Sequence, residues 1–458
     1  MNRTRKHQLL TGFWLVISLL NALSAGEPVF QCVKIDGPRH DPANETYWYG
    51  PFSESACVLD MDGDGDLDIA CGSHWYENPH WVKHSDFRAH APRVGCKLMN
   101  IGEVAIDVDR DGLTDIVNAV NNAQGLSKGG GGVFWHRNPG NHDPKWSSFN
   151  VHEEVRTEGI VPGDIDGDGD TDILVVHNGT TLPKGGVTWL EHIDREPWFV
   201  ERVVGVEGDK HGLGLGDLNG DGRMDILTRR GWYECPEQPS NTPWRLHDDV
   251  IFEVPVKRWL RDSSVPMPVL DVNGDGLNDV IIGAAHNYGL VWFEQFLAKG
   301  KKRQFRVHWI ERDRSHFHTM VLADVNRDGH PDLVTGKCLL AHDGRDPGDW
   351  DPLFLFWYDI QGGRFERHVI SFGHIAWYEN ASVDREPPNW AVGGGRTLNV
   401  VDLNRDDWLD IVVAGRSGLY VFYNHGPSSK TTRHKMHKPG EPTINLMPKA
   451  PETGAGDQ

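Results

Sequence analysis

One acidic pattern, Asp-x-Asp/Asn-x-Asp-x-x-x-Asp, occurs seven times along the 458 residues, starting at Asp60, Asp107, Asp164, Asp217, Asp271, Asp324 and Asp402. A unit recurring at intervals of roughly 50 residues is too long for a solenoid rung and suits a four-stranded propeller blade. An apolar stretch leads into each copy and another leaves it, as in Met320-Val321-Leu322-Ala323 and Asp332-Leu333-Val334-Thr335-Gly336. Each acidic segment is therefore expected to be the turn of a β-hairpin. A third, aromatic strand follows, such as Trp75-Tyr76-Glu77 or Val291-Trp292-Phe293, and a fourth often carries a His, as in Trp244-Arg245-Leu246-His247. The expected fold class is all-β, a seven-bladed β-propeller of four-stranded antiparallel blades.

The seventh copy lacks a fourth strand, because after Tyr423-Asn424 the sequence turns to Pro, Lys, Ser and Gly. Val29 to Ile35 has the fourth-strand pattern yet precedes the first blade. The last blade is thus expected to be closed by the N-terminal strand, which removes exposed sheet edges. The abundance of Gly (52), Pro (27) and Trp (18) agrees, favouring short strands and turns over long helices. At the N-terminus, Arg3, Arg5 and Lys6 precede an apolar run from Leu9 to Leu20 and then small residues up to Ala25. This is the pattern of an export signal, and a run of about twelve residues falls short of the roughly twenty that span a bilayer. The expected organisation is a signal peptide over 1–25, a propeller over 26–426 and a disordered tail over 427–458. The location is secreted, periplasmic or extracellular, with no membrane span after signal cleavage.

Acidic residues outnumber basic ones by 66 to 46, for a formal net charge of −20, so the basic footprint of a nucleic-acid binder is missing. The six cysteines, Cys32, Cys57, Cys71, Cys96, Cys235 and Cys338, permit disulfides in an exported chain, with buried free thiols as the alternative. If Asp60 pairs with Asp68 across the first hairpin, Cys57 faces Cys71 and a cross-strand bridge is possible.

The acidic turns offer oxygen ligands at positions one, three, five and nine: Asp60, Asp62, Asp64 and Asp68; Asp107, Asp109, Asp111 and Asp115; Asp164, Asp166, Asp168 and Asp172; Asp217, Asn219, Asp221 and Asp225; Asp271, Asn273, Asp275 and Asp279; Asp324, Asn326, Asp328 and Asp332; Asp402, Asn404, Asp406 and Asp410. Hard oxygen donors in this number suit structural Ca2+, and the start resembles an EF-hand loop, although position twelve is never Glu. An Asp-rich turn satisfied by its own backbone is the alternative. The last turn has Asp407 where the others have Gly, so it is expected to be the weakest site. These repeats resemble the VCBS and integrin-type FG-GAP families over residues 30 to 424, which implies a calcium-stabilised propeller and leaves its function open.

Function is expected on the face opposite these turns, where the start of each innermost strand and the loop between second and third strands converge on the axis. Six residues before each motif lie Glu54, Ile101, Glu158, His211, Val265, His318 and Arg396; thirteen to fifteen after it lie His74, Asn121, His177, Arg230, His286, Lys337 and Arg416. A channel that only needed filling would hold small or apolar residues, and most of these ionise, which points to a functional pocket. The long loop from Lys337 to Gly348 is expected to cover it. The set resembles the propeller domain of the aldos-2-ulose dehydratase family, on His211-Gly212-Leu213, the stretch His318 to Lys337 and the loop from His342 to Gly348. In that family cupin domains follow the propeller, whereas here the repeats give way to the tail. The resemblance implies elimination of water from a keto-sugar: His211 or His318 as base, Lys337, Arg230 or a funnel metal (Zn2+ or Mg2+) stabilising the enolate, Glu158 exchanging a proton, and His177 and His286 nearby. Two other classes compete. One is a non-catalytic, lectin- or adhesion-like module that binds a glycan, another small molecule or a protein partner, with Trp350 or Trp390 stacking on sugar rings. The other is a purely structural calcium propeller.

Overall fold

In the computed structural model the described residues are 27–37, 54–89, 98–122, 131–140, 145–153, 159–176, 186–208, 211–256, 262–300, 302–339, 345–373 and 391–427. The expected signal segment over 1–25, residues 428–458, Cys96, Trp390 and His342 lie outside them. Among the described residues there is no helix, and so none long and apolar enough to cross a membrane.

Twenty-eight strands form seven four-stranded antiparallel sheets. The N-terminal β1 spans Pro28–Asp36. Blade one is β2 (Ala56–Leu59), β3 (Asp68–Cys71), β4 (His74–Glu77) and β5 (Val82–Ser85). Blade two is β6 (Leu98–Ile106), β7 (Asp115–Asn122), β8 (Gly132–Arg137) and β9 (Ser147–Glu153). Blade three is β10 (Val161–Gly163), β11 (Asp172–Val176), β12 (Val187–His192) and β13 (Phe199–Gly205). Blade four is β14 (Leu213–Gly216), β15 (Asp225–Thr228), β16 (Gly231–Glu234) and β17 (Arg245–His247). Blade five is β18 (Val269–Leu270), β19 (Asp279–Gly283), β20 (Tyr288–Leu297) and β21 (Arg303–Ser315). Blade six is β22 (Phe317–Ala323), β23 (Asp332–Lys337), β24 (Leu353–Gln361) and β25 (Arg364–Gly373). Blade seven is β26 (Leu398–Val401), β27 (Asp410–Gly415) and β28 (Gly418–Pro427), completed by β1.

Burial explains why these segments are strands in this order. The second strand of a blade is covered on both faces, so β11 (Asp-Ile-Leu-Val-Val) and β19 (Asp-Val-Ile-Ile-Gly) read as short continuous apolar runs. The fourth strand is the outer edge and alternates, as β13 does. The core is divided among the junctions between neighbouring blades, one apolar layer per junction. Ile101, Val117 and Trp135 of blade two meet Ile173, Val175 and Leu190 of blade three, and Val412, Leu419 and Val421 of blade seven meet Ala56, Ile69 and Tyr76 of blade one. Each fully buried Val, Leu, Ile or Phe contributes about 1.5–3 kcal/mol. Closing the ring therefore completes a layer that an open array would leave wet.

Closure uses the chain's beginning, as expected: β1 runs antiparallel to β28, with Gln31 opposite Tyr423 and Val33 opposite Val421. A second fastening joins blades seven and one. Arg396 donates through Nε to Glu54 at 2.6 Å and through its backbone N–H to the Glu54 carbonyl at 2.7 Å, while Arg416 grips the other Glu54 oxygen. Burial by itself would raise the Glu54 carboxyl, but Arg416 and Arg396 outweigh it and hold it at about 2.

The aromatic third strands and the fourth-strand histidines turn out to be partners. Trp75 and His84, Trp232 and His247, and Trp357 and His368 are cross-strand pairs stacked with ring centroids 4.0–4.1 Å apart. In two of these blades a Glu two residues after the Trp takes the outer imidazole, His84 with Glu77 at 2.7 Å and His247 with Glu234 at 2.8 Å. This rim ladder recurs as blade structure. The first hairpin corrects one expectation. Its register pairs Leu59 with Asp68 and Cys57 with Ala70, one residue away from the Asp60–Asp68 pairing. A one-residue slip puts side chains on opposite faces, so Cys57 packs towards blade two and Cys71 towards blade seven. Both are thiols rather than halves of a disulfide, as are Cys32, Cys235 and Cys338.

Candidate functional site

The acidic turns occupy one face of the ring. In the first, Asp60 accepts the backbone N–H groups of Gly63 at 2.7 Å and Gly65 at 3.0 Å. Asp62 and Asp64 accept those of Asp64 and Asp66. The ninth-position Asp68 is buried and accepts N–H groups of Met61 at 2.9 Å and Asn78 at 2.8 Å, tying the turn to the end of the third strand. Asp115, Asp172, Asp225, Asp279 and Asp410 do the same. Burial raises these carboxyls from 3.8 to between about 6 and about 8, Asp172 reaching about 8. The sixth position is left-handed throughout, φ +92° at Gly65, and Asp407 adopts +70° in the last turn despite its side chain.

The seven turns are not alike. Where position three is Asp, three carboxylates gather with oxygens within 4.8 Å: Asp60, Asp62 and Asp68; Asp107, Asp109 and Asp115; Asp164, Asp166 and Asp172. Where it is Asn, the amide bonds the fifth-position carboxylate, Asn219 to Asp221 at 3.0 Å, Asn273 to Asp275 at 3.2 Å, Asn326 to Asp328 at 3.2 Å and Asn404 to Asp406 at 3.1 Å. In the second turn the Arg137 guanidinium lies against Asp109 at 2.5 Å and Asp111 at 3.1 Å, already neutralising them.

The opposite face holds a different cluster. His211 precedes the first strand of blade four, His286 sits in the turn between β19 and β20 of blade five, and His318 lies at the start of β22 in blade six. Their exposures are 0%, 3% and 1%, and one nitrogen of each lies within 4.8 Å of the others. Nε2 of His211 and Nε2 of His286 are 3.1 Å apart. His286 Nδ1 is 2.9 Å from Asp346 Oδ2. Asp262, its side chain 20% exposed, places Oδ2 3.9 Å from His211 Nε2, on the more open side. Beside them His316 turns the chain from β21 into β22 at φ +62°, its Nε2 3.0 Å from the Pro347 carbonyl and its Nδ1 3.2 Å from Asp349. Burial, then Lys337 and His286, push His316 down to about 3.

Three of the expected site residues, His211, His286 and His318, come together. Lys337 is close in the fold and fully buried. Its ammonium donates to Ser315 Oγ at 2.9 Å and to the Gly348 carbonyl, and burial lowers it to about 8. Arg230 is exposed at the turn between β15 and β16, and its neighbour Arg229 pairs with Glu253 at 3.2 Å. Glu158 and His177 lie outside the described residues. Glu54, Arg396 and Arg416 form the closure already described, and Ile101 and Val265 are buried apolar filling. Three residues were missed by sequence reasoning as individuals: Asp262, Asp346 and Asp349. Asp346 and Asp349 belong to or adjoin the loop marked as a cover, but their partners are far away in sequence. A buried Arg88–Glu103 pair at 2.8 Å between blades one and two was also invisible.

Fold and repeats together define a β-propeller built of FG-GAP repeats: the model of the FG-GAP-like repeat matches residues 107–175 and 271–335. Among solved structures, rhamnogalacturonan lyase YesW is 13% identical, with a TM-score of 0.42, over 86% of this chain and 75% of that one. A protein described as a putative oxidoreductase (glucose dehydrogenase) from Thermus thermophilus is 11% identical, with a TM-score of 0.37, over 69% of this chain and 96% of that one. No curated protein matches the chain significantly.

Proposed function

We propose that His211, His286 and His318 are the ligands of a zinc-type transition metal, and that the protein is a dehydratase-like carbon–oxygen lyase acting on a carbonyl-bearing sugar in the funnel. The observation that carries the reading is the convergence of three buried imidazoles from three blades, two of them with Nε2 atoms 3.1 Å apart. Neutral imidazoles suit zinc, and three protein ligands leave a position open, as in catalytic rather than structural sites. Bound there, such a metal polarises a carbonyl oxygen and acidifies the neighbouring carbon. In this reading the imidazoles hold the metal, so the role of base passes from His211 or His318 to Asp262. Its carboxylate stands at the more open side, 3.9 Å from His211 Nε2. Elimination breaks a C–H and the neighbouring C–O bond, forms C=C, and releases the proton and hydroxyl as water. The acidic turns serve as calcium sites that stiffen the ring. They are strongest at Asp60 and Asp164, where position three is Asp and the neighbouring arginines pair with the seventh position, at Asp66 and Asp170. Export through the N-terminal segment accords with calcium use.

The test is metal analysis of the purified protein followed by turnover on a panel of keto-sugars and anhydro-keto-sugars, read as enone absorbance. One transition metal per chain and a turnover lost in His286→Ala are expected; a protein that carries and takes up none overturns the reading. A glycan-binding module is the second reading, favoured by Trp350, 58% exposed on the loop beside the cluster. Glycan-array binding that persists in His286→Ala and is lost in Trp350→Ala would support it.

A further inference from the structure

We infer that Asp346 is the positioning residue of the imidazole cluster, fixing which nitrogen of His286 faces His211 and His318, and that residues 345–349 form a strap whose work is to hold that carboxylate in place. The inference rests on the metal-centre reading and adds a residue that acts through a ligand.

His286 lies in a turn between strands, where no ladder of backbone hydrogen bonds dictates its ring orientation. A neutral imidazole can present either nitrogen, and only one arrangement leaves a lone pair towards the cluster. The Asp346 carboxylate is an acceptor, so at 2.9 Å from Nδ1 it requires the proton on that atom and leaves Nε2 with its lone pair. That Nε2 is the atom 3.1 Å from His211 Nε2. Both side chains are almost fully buried, at 3% and 4% exposure, so water does not compete for the bond.

The strap is anchored to itself and to the passage from blade five into blade six. Asp349 accepts the Asp346 N–H at 2.8 Å and returns its own N–H to the Asp346 carbonyl at 3.2 Å. Pro347 O meets His316 Nε2 at 3.0 Å, and Gly348 O accepts from Ser315 Oγ at 3.1 Å and from the Lys337 ammonium. Gly348 has φ +89°, and a Cβ there would fall 2.4 Å from Ser315 Oγ, so only glycine lets the strap lie this close. Lys337 thus clamps the strap. The buried ammonium joins the Pro347 and Gly348 contacts in holding the strap, and what the strap brings to the cluster is the Asp346 carboxylate.

The experiment measures zinc affinity by competition with a chromophoric chelator, and the visible absorption of the Co2+-substituted protein, with calcium in excess to keep the acidic turns occupied. Asp346→Asn can turn its amide to donate to Nδ1 and so invert the tautomer, and its zinc affinity is expected to fall by about 10- to 100-fold. Its Co2+ spectrum shifts, Asp346→Glu recovers part of both, and His247→Ala at the rim changes neither. If Asp346→Asn does not fold, Asp346→Ser is measured in the same way. A folded variant with wild-type affinity and an unchanged Co2+ spectrum overturns the inference while leaving the metal centre standing. Wild-type protein that takes up neither Zn2+ nor Co2+ overturns both.

Discussion

The two faces of this ring are both crowded with ionisable groups, and they use them in opposite ways. On the turn face the carboxylates are met by backbone N–H groups of their own turn and blade, and the same arrangement returns in blade after blade: Asp68 holds Met61 and Asn78, Asp172 holds Ile165 and His192, Asp410 holds Leu403 and Asn424. On the opposite face three buried imidazoles from blades four, five and six bring one nitrogen each within 4.8 Å of the others, and no other described blade repeats them. A feature present in every repeat serves the repeat, because each blade must solve the same folding problem. A feature confined to adjacent blades answers to something outside that problem. The proposed function accordingly puts chemistry at the imidazole cluster and stiffness in the turns.

The sharpest way to break this division is to remove one imidazole. His286→Ala is expected to weaken transition-metal binding by more than about 100-fold, beyond what loss of a ligand's hydrogen-bond partner costs, while stability in calcium falls by no more than about 1–3 kcal/mol, the cost of leaving the buried Asp346 carboxylate without this partner. Equilibrium dialysis beside a melting curve checks it, and a large loss of stability with metal binding intact would reverse the assignment. The mirror experiment is Asp172→Ala. It leaves two buried amides, Ile165 and His192, without a partner, and is expected to cost about 2–5 kcal/mol in denaturant unfolding without altering zinc affinity of the folded protein.

A smaller effect per group follows from pH. Six of the ninth-position carboxyls, and Asp332 with them, have folded pKa values of about 6 to about 8 against an ordinary 3.8. A raised folded pKa gives stability that is whole below the unfolded value and lost as pH climbs through the folded one. In chelator the melting temperature should therefore fall between pH 5 and 8, by about the cumulative cost of ionising buried carboxyls. Calcium should abolish the fall, since the cation pairs the charges. A slope indifferent to calcium would count against calcium in the turns. The smallest effect belongs to the rim: His247→Ala removes the stack on Trp232 and is expected to cost about 0.5–1.5 kcal/mol, with no change at the funnel.

Much of the architecture was legible because it is periodic. Seven acidic turns announced seven blades, and the missing fourth strand after Asn424 announced closure by Val29 to Ile35. The converging positions of His211, His286 and His318 were legible for the same reason, since equivalent positions in a repeat share a place in the fold. What periodicity cannot reach is register and loop geometry. Counting from Asp60 and Asp68 put Cys57 opposite Cys71, whereas the hairpin closes on Leu59 and Asp68 because the ninth-position Asp already belongs to the second strand. Asp346 approaches His286 across 60 positions of sequence, from the loop between β23 and β24. Arg230 occupied an equivalent position, yet the tight turn between β15 and β16 leaves it exposed.

The most direct measurement is an anomalous difference map at the zinc absorption edge, from crystals grown with calcium and one equivalent of zinc. The account predicts a single strong peak bounded by His211, His286 and His318, with Asp346 behind His286 and no comparable peak on the turn face. A map with no peak among the three imidazoles, or with zinc only in the acidic turns, would contradict it.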